Sequence, residues 1–373
     1  MGAGVSSLSK ICLVEPCVAQ KADDSGATAI ADIDYTFVGL GIEHGEVDTA
    51  GNCGNMSSAI GPYAYNARLL DPSVYEKRWR GRVTVRVRNT NTDKYIDSTF
   101  DVDKGQAVVH GRYAIDGVAG TAAQIKLDFQ SPYGSKTGKV LPTGNRIDNI
   151  LGYKVSCVDG ANPGVFVRAD DLGVDGTILP NEFNKLPEKL QELERIRKAA
   201  AVAMGIAETD ETVPRTIPKI GIVSMSSTHE LLSGKTIDSS GVDLVVRFIS
   251  DTQPHRAIPL TLALTTAVAA RIPGTIVEQL LAPDPAMEGT ITIGHASGRI
   301  QVNATMHRHD SITPKSATVY RTAKRIFEGN IFYTGDLSDF ATTAQLHEAD
   351  IRRRHSLGLA FVKEMRGQAA EWL

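Results

Sequence analysis

Residues 257–271, AIPLTLALTTAVAAR, decide the fold. Their apolar side chains run nearly all round a helical wheel, so no polar stripe is left to face water. A helix of this kind belongs inside a core, and Pro273-Gly274 close it. Residues 56–70, MSSAIGPYAYNARLL, have the same character and predict a second buried helix. The segments around both read as strands. RGRVTVRVRN, 80–89, alternates through its centre with arginines on the wet face. Segments 11–18, 106–113 and 124–129 are similar in the first half, the last two joined by the Gly/Ala stretch 117–123. PTGNRIDNI, 142–150, is polar and turn-rich and marks a boundary. Beyond it, 155–158, 165–169, 220–225, 290–293, 299–306 and 318–327 are strand-like. A surface helix over 187–204 carries Leu190, Leu193 and Ile196 at helical spacing among charged residues. The expectation is an α+β fold of two similar domains, 1–150 and 151–335, each a curved, mostly antiparallel sheet around a central helix. A polar tail, 336–373, carries Arg352-Arg353-Arg354, which reads as a solvated helix face.

Composition narrows the function. The chain has 373 residues, 42% hydrophobic and 22% charged, enough for two sizeable cores. A net charge of −3 argues against a nucleic-acid partner. No apolar run approaches the roughly 18 residues of a spanning helix, so no membrane partner is expected. The first ten residues lack a basic n-region, and four cysteines are too few for a disulfide framework. These features predict a cytoplasmic protein with reduced thiols.

The sharpest local feature is Gly51-Asn52-Cys53-Gly54-Asn55, set against the start of the first buried helix. Unpaired N–H groups at a helix N-terminus favour an anion, whether a thiolate or a substrate carboxylate. The two glycines allow close backbone approach. Ser6-Ser7-Leu8-Ser9-Lys10 leads into the first strand, and a lysine becomes a competent base when desolvation disfavours its charged form. Gly294-His295-Ala296-Ser297-Gly298 is a turn whose hydroxyl, imidazole and open amides suit a carboxylate. Ser233-Gly234-Lys235-Thr236 looks like the end of a phosphate loop, but His229 stands where that motif needs glycine, so no nucleotide site is expected. His307, His309 and Asp310 lack a supporting ligand set, so no metal is expected. Cys12, Cys17 and Cys157 read as core or surface thiols.

Seven stretches together resemble the PrpF family of 2-methylaconitate cis-trans isomerases and their relatives. They are SSLSK (6–10), GNCGNMSSAIGPYA (51–64), YAIDGVAGTAAQIKLDF (113–129), TGKVLPTGN (137–145), SCVDGANPGVFV (156–167), SGKTI (233–237) and GHASG (294–298). The resemblance implies the diaminopimelate-epimerase-like fold, with the active site between two domains. It implies cofactor-free isomerisation of an unsaturated di- or tricarboxylic acid such as aconitate, methylaconitate or methylitaconate. It further implies Lys10 and Cys53 as the acid/base pair. Ser6, Ser7, Asn52, Gly54, Asn55, Lys235, His295, Ser297 and Gly298 become the substrate-binding residues. The family pattern also places a first strand and an MRGGTSKG-type loop ahead of the matched region. From this the first domain is expected to lack its first strands, and strand 11–18 to lack a neighbour.

Such a reaction needs only proton transfers. A proton γ to a carboxylate, across a double bond, is acidic because the carboxylate delocalises the anion. One group removes it and another returns a proton at the other end of the allylic system, or on the same carbon after rotation. Two rival readings follow from the residues. A racemase of the same fold needs a second cysteine at the start of the second buried helix, where Pro254-His255-Arg256-Ala257 has none. A truncated homologue would bind an organic acid with weak activity or none. Oligomerisation is compatible with either.

Overall fold

The computed structural model describes residues 10–17, 21–22, 28–29, 31–40, 47–49, 51–250 and 252–329. The chain divides into a compact unit, Met1–Lys324, and a second unit, Arg325–Leu373. Of the second unit, only 325–329 is described, without helix or strand; the predicted tail at 336–373 lies outside the described residues. So do Ser6 and Ser7.

The first half contributes β1 (Lys10–Pro16), β2 (Ile33–Leu40), β3 (Gly81–Asn89), β4 (Lys94–Asp103) and β5 (Ile125–Gln130). The second contributes β6 (Asp148–Ile150), β7 (Tyr153–Asp159), β8 (Pro163–Arg168) and β9 (Lys219–Met225). Then come β10 (Leu244–Ser250), β11 (Ile291–His295), β12 (Gly298–His307) and β13 (Asp310–Arg321). They lie on one hydrogen-bonded path, β1-β2-β3-β4-β5-β13-β12-β11-β10-β9-β8-β7-β6, within a 16-stranded sheet. Only β2–β3, β8–β9 and β10–β11 pair in parallel along it. A buried ion pair marks the β2–β3 register: Arg88 Nε and Nη2 donate to Asp34 at 2.7 and 2.5 Å, and the two residues are cross-strand partners. Bidentate pairing of this kind is geometrically specific.

Two helices lie inside this sheet. α1 (Gly54–Asn66) packs on β3 and β4 in the first half. The surface helix α2 runs Pro187–Ala203. α3 (Leu260–Ala270) packs on β12, β13 and β8, and all of its residues are buried. Its threonines satisfy their hydroxyls locally: Thr265 and Thr266 donate to the carbonyls of Thr261 and Leu262, one turn back. The helix starts at Leu260 rather than at 257, because Pro259 holds extended backbone ahead of it (φ −58°, ψ 128°).

Burial explains the strand patterns. β3 and β4 have one face in water, so VTVRV and STFDV alternate buried and exposed. The central strands of the second half are covered on both faces, by α3 inside and α2 outside, so VFV and IGIV are buried throughout. Two predicted strands change. Of 106–113 only Gln106–Ala107 is strand; the rest is a loop held by the Tyr113–Ala122 bridge and by Ala123 N–H on the Val109 carbonyl. There Gly111 lies so close to the 122–123 backbone that a Cβ would sit 2.6 Å from it, which a regular strand does not require. The strand expected over 318–327 is β13, which starts earlier, at Asp310, and ends at Arg321.

Candidate active site

The N-termini of α1 and α3 meet. Gly54, the first residue of α1, lies against Leu260, the first of α3; a Cβ there would be 2.4 Å from Leu260 Cδ2. Neither helix has a side-chain cap at its N-terminus or an acidic residue in its first turn. Their first N–H groups therefore remain available to an anion. Cys53 is the N-cap residue of α1 and is half-buried. Behind it, Ser57 donates to Asn52 Oδ1 and to the Cys53 carbonyl, both at 3.2 Å, and so ties the GNCGN turn to the helix.

Beside this junction is a cavity of about 350 Å³. Asn55 from α1, Leu260 from α3, His295 and Ser297 from the β11–β12 turn, and Tyr113 and Asp116 from the loop after β4 line it. The turn is tightly packed: a Cβ on Gly298 (φ 143°) would lie 2.3 Å from Asp116 Cβ. Asp116 in turn accepts the Arg299 N–H at 2.9 Å. The Ser297 hydroxyl donates to the Arg256 carbonyl at 2.6 Å. His295 Nδ1 accepts the Ser297 N–H at 3.2 Å and His255 Nδ1 accepts the Ala257 N–H at 3.0 Å, which leaves each neutral ring its proton on Nε2.

Burial pushes the His295 imidazole down to about 3 and also lowers His255 and His229. In the unfolded chain these groups titrate near 6.5. Between about pH 3 and 6.5 the unfolded state therefore binds more protons, so folding stability falls as pH drops through that window and is unaffected by these groups above it. One such histidine contributes about 1.4 kcal/mol per pH unit to the slope. Urea titrations of wild type and His295→Gln between pH 7.5 and 4.5 check this. The variant's stability should fall less steeply with acid; equal slopes would count against a neutral His295.

Arg321, the last residue of β13, donates from Nη2 to Asn55 Oδ1 at 3.0 Å and lines the cavity. No described carboxylate forms an ion pair with it, and burial lowers its affinity for its proton. Sequence reading missed this residue. The signal was parity: Ala317 and Val319 face inward on β13, so Arg321 falls on the buried side of the strand. His255 and Cys12 were also missed. Cys12 lies on the same face of β1 as Lys10, reaches the buried Tyr35 hydroxyl at 3.9 Å, and interacts electrostatically with Cys53 and Lys10. Lys10, half-buried at the start of β1, likewise acts on His255.

The structure thus brings Asn55, His295 and Ser297 to one cavity, with Asn52, Cys53, Gly54 and Gly298 in the elements that build it. Lys10 stands close enough to Cys12 and His255 to act on their charge. Lys235 is exposed in the turn of a small hairpin and is not among the residues that line the cavity.

A family model described as PrpF protein matches residues 1–334. The chain belongs to the PrpF family. Among its PrpF relatives, 3-methylitaconate isomerase of Eubacterium barkeri is 39% identical over 310 residues, covering 81% of this chain and 79% of that protein. The 2-methyl-aconitate isomerase of Shewanella oneidensis is 32% identical over 340 residues, 88% and 82% of the two chains. A crystal structure of methylitaconate-delta-isomerase superposes with a TM-score of 0.73 at 37% identity, covering 87% of this chain and 81% of that one. The architecture is α+β, a mixed sheet around two central helices, and it is the fold of that isomerase. No described helix is long and apolar enough to cross a membrane.

Proposed function

We propose that this protein moves a proton within an unsaturated di- or tricarboxylic acid at the junction of α1 and α3, with Lys10 and Cys53 as the acid/base pair and no cofactor. The enzyme is an isomerase of unsaturated carboxylic acids, as its PrpF relatives are. The observation that carries the site assignment is Arg321: a partly buried cation, without a carboxylate partner among the described residues, in a cavity beside two uncapped helix N-termini and bonded to Asn55, two residues after Cys53.

The chemistry follows from these groups. Lys10 takes the proton γ to the carboxylate, and the electron pair delocalises through the double bond into that carboxylate. The first-turn N–H groups of α1 and the Arg321 guanidinium stabilise the growing negative charge. Cys53 returns a proton at the other end of the allylic system. The His295 and His255 Nε2–H groups donate to carboxylate oxygens without adding charge. A two-thiol racemase would need a cysteine at the start of α3, where Ile258-Pro259-Leu260 stand. The second thiol near Cys53 is Cys12, which burial pushes up to about 11, so it stays protonated. We further propose a division into two domains near residue 150 and a cytoplasmic location.

Cys53 should be the first thiol to react with substoichiometric iodoacetamide, because Cys12 and Cys157 are held protonated by burial. A saturating dicarboxylic acid should protect it. Peptide mapping reads both effects. Preferential labelling of Cys12, Cys17 or Cys157, or labelling of Cys53 indifferent to the acid, would remove Cys53 from the site.

A further inference from the structure

Resting on that reading, we infer that Asp116, on the loop after β4, is a positioning residue: it locks the turn between β11 and β12 and thereby aims the His295 Nε2–H at the substrate. The loop belongs to the first half and the turn to the second, and both line the cavity. Asp116 Oδ2 accepts the Arg299 N–H, directly after the turn, at 2.9 Å and lies 3.8 Å from Arg299 Nε. Its side chain fills the space that Gly298 (φ 143°) leaves open: a Cβ there would be 2.3 Å from Asp116 Cβ. Next to it, a Cβ on Gly117 would lie 3.0 Å from Ser297 Cβ. Hydrogen bond and packing thus act on three successive residues, Ser297 to Arg299.

The loop is braced well enough to serve as an anchor. Val118 N–H closes a turn on the Ile115 carbonyl at 3.0 Å, with Asp116 and Gly117 at its centre. Tyr113 and Ala122 exchange both backbone bonds, at 3.1 and 3.0 Å, and the Thr121 hydroxyl donates to the Gly111 carbonyl at 2.8 Å. The second half holds the turn as well: Leu232 N–H donates to the Ala296 carbonyl at 2.8 Å, and the Ser297 hydroxyl to that of Arg256 at 2.6 Å. The Ser297 N–H held in place by these contacts is the one that His295 Nδ1 accepts. That bond sets the tautomer and the angle of the ring. When Asp116 is removed, the turn loses its hold on the first half, and the imidazole donor is no longer fixed toward the substrate carboxylate.

Initial rates of proton exchange into 3-methylitaconate and cis-aconitate in deuterated water, followed by proton NMR, test this. Asp116→Ala should raise KM by about 10-fold or more and change kcat little, as expected when a contact made throughout the reaction is misplaced. Asp116→Asn should recover most of that loss, because its amide oxygen still accepts the Arg299 N–H. His295→Phe, which keeps a ring but has no donor, should raise KM to a similar extent. Adding Asp116→Ala to it should cost little more, because both changes remove the same contact. A merely structural role would instead lower kcat and melting temperature in Asp116→Ala and add in full to His295→Phe. That outcome, an unchanged KM in Asp116→Ala, or Asp116→Asn no better than Asp116→Ala would overturn the inference and leave the isomerase standing. Exchange into neither acid by wild type would overturn the isomerase reading and the inference with it.

Discussion

Lys10→Ala should lower proton exchange by about 1,000-fold and leave the fold unchanged, the loss expected when a positioned base is removed. Lys10 begins β1, opposite Gly39 of β2, and its backbone pairing does not depend on the side chain. Its side chain shares a face with Cys12, which lies by the Tyr35 hydroxyl, so it points to the α1 side of the sheet rather than to water. Circular dichroism and melting temperature should match wild type while kcat collapses. Lys10→Arg should not restore the rate, because a guanidinium does not give up its proton near neutral pH. A folded Lys10→Ala enzyme with near wild-type exchange would remove Lys10 from the mechanism.

Cys53→Ala should cost about 100- to 1,000-fold in kcat with a smaller change in KM, since the thiol is assigned a proton transfer and the carboxylates are held elsewhere. The turn should survive the change. Its order comes from Ser57 holding Asn52 and the Cys53 carbonyl, and neither bond uses the thiol. Cys53→Ser keeps the size but holds its proton far more tightly, so it should recover little of the loss. A Cys53→Ala enzyme that retains kcat but loses KM would turn Cys53 into a binding residue.

The helix in AIPLTLALTTAVAAR was legible because that stretch offers water no polar face, a property independent of distant contacts; MSSAIGPYAYNARLL was legible in part, since α1 runs Gly54–Asn66 and leaves Asn55 and Tyr63 exposed. β3 was legible for a related reason: one wet face forces alternation. β2 and β10 were not. In IDYTFVGL burial grades off along the strand rather than alternating, and LVVRFI, 244–249, is buried on both faces, with Arg247 satisfied by the Ile178, Val246 and Thr177 carbonyls. β4 does alternate, Ile96, Ser98, Phe100 and Val102 facing inward, but the charged residues between them obscured the pattern.

For the site, Cys53 and the GHASG turn stood out because glycines and polar residues clustered beside predicted element ends. Arg321 did not, because extending its strand to Phe327 blurred the inward parity that marks it. His255 and Cys12 become meaningful only once the sheet brings β1 beside α1 and the approach to α3 beside the β11–β12 turn. No local spacing encodes that proximity.

The central claim is a proton transfer at the α1–α3 junction, and deuterium wash-in tests it most directly. Proton NMR of 3-methylitaconate with wild-type enzyme in deuterated water should show the allylic proton signals disappearing at the rate of isomerisation or faster, with Lys10→Ala slowing that loss to near background and Cys53→Ala slowing the entry of deuterium at the other end of the allylic system. Wash-in that proceeds unchanged in Lys10→Ala, or no deuterium entering methylitaconate or cis-aconitate, would contradict it.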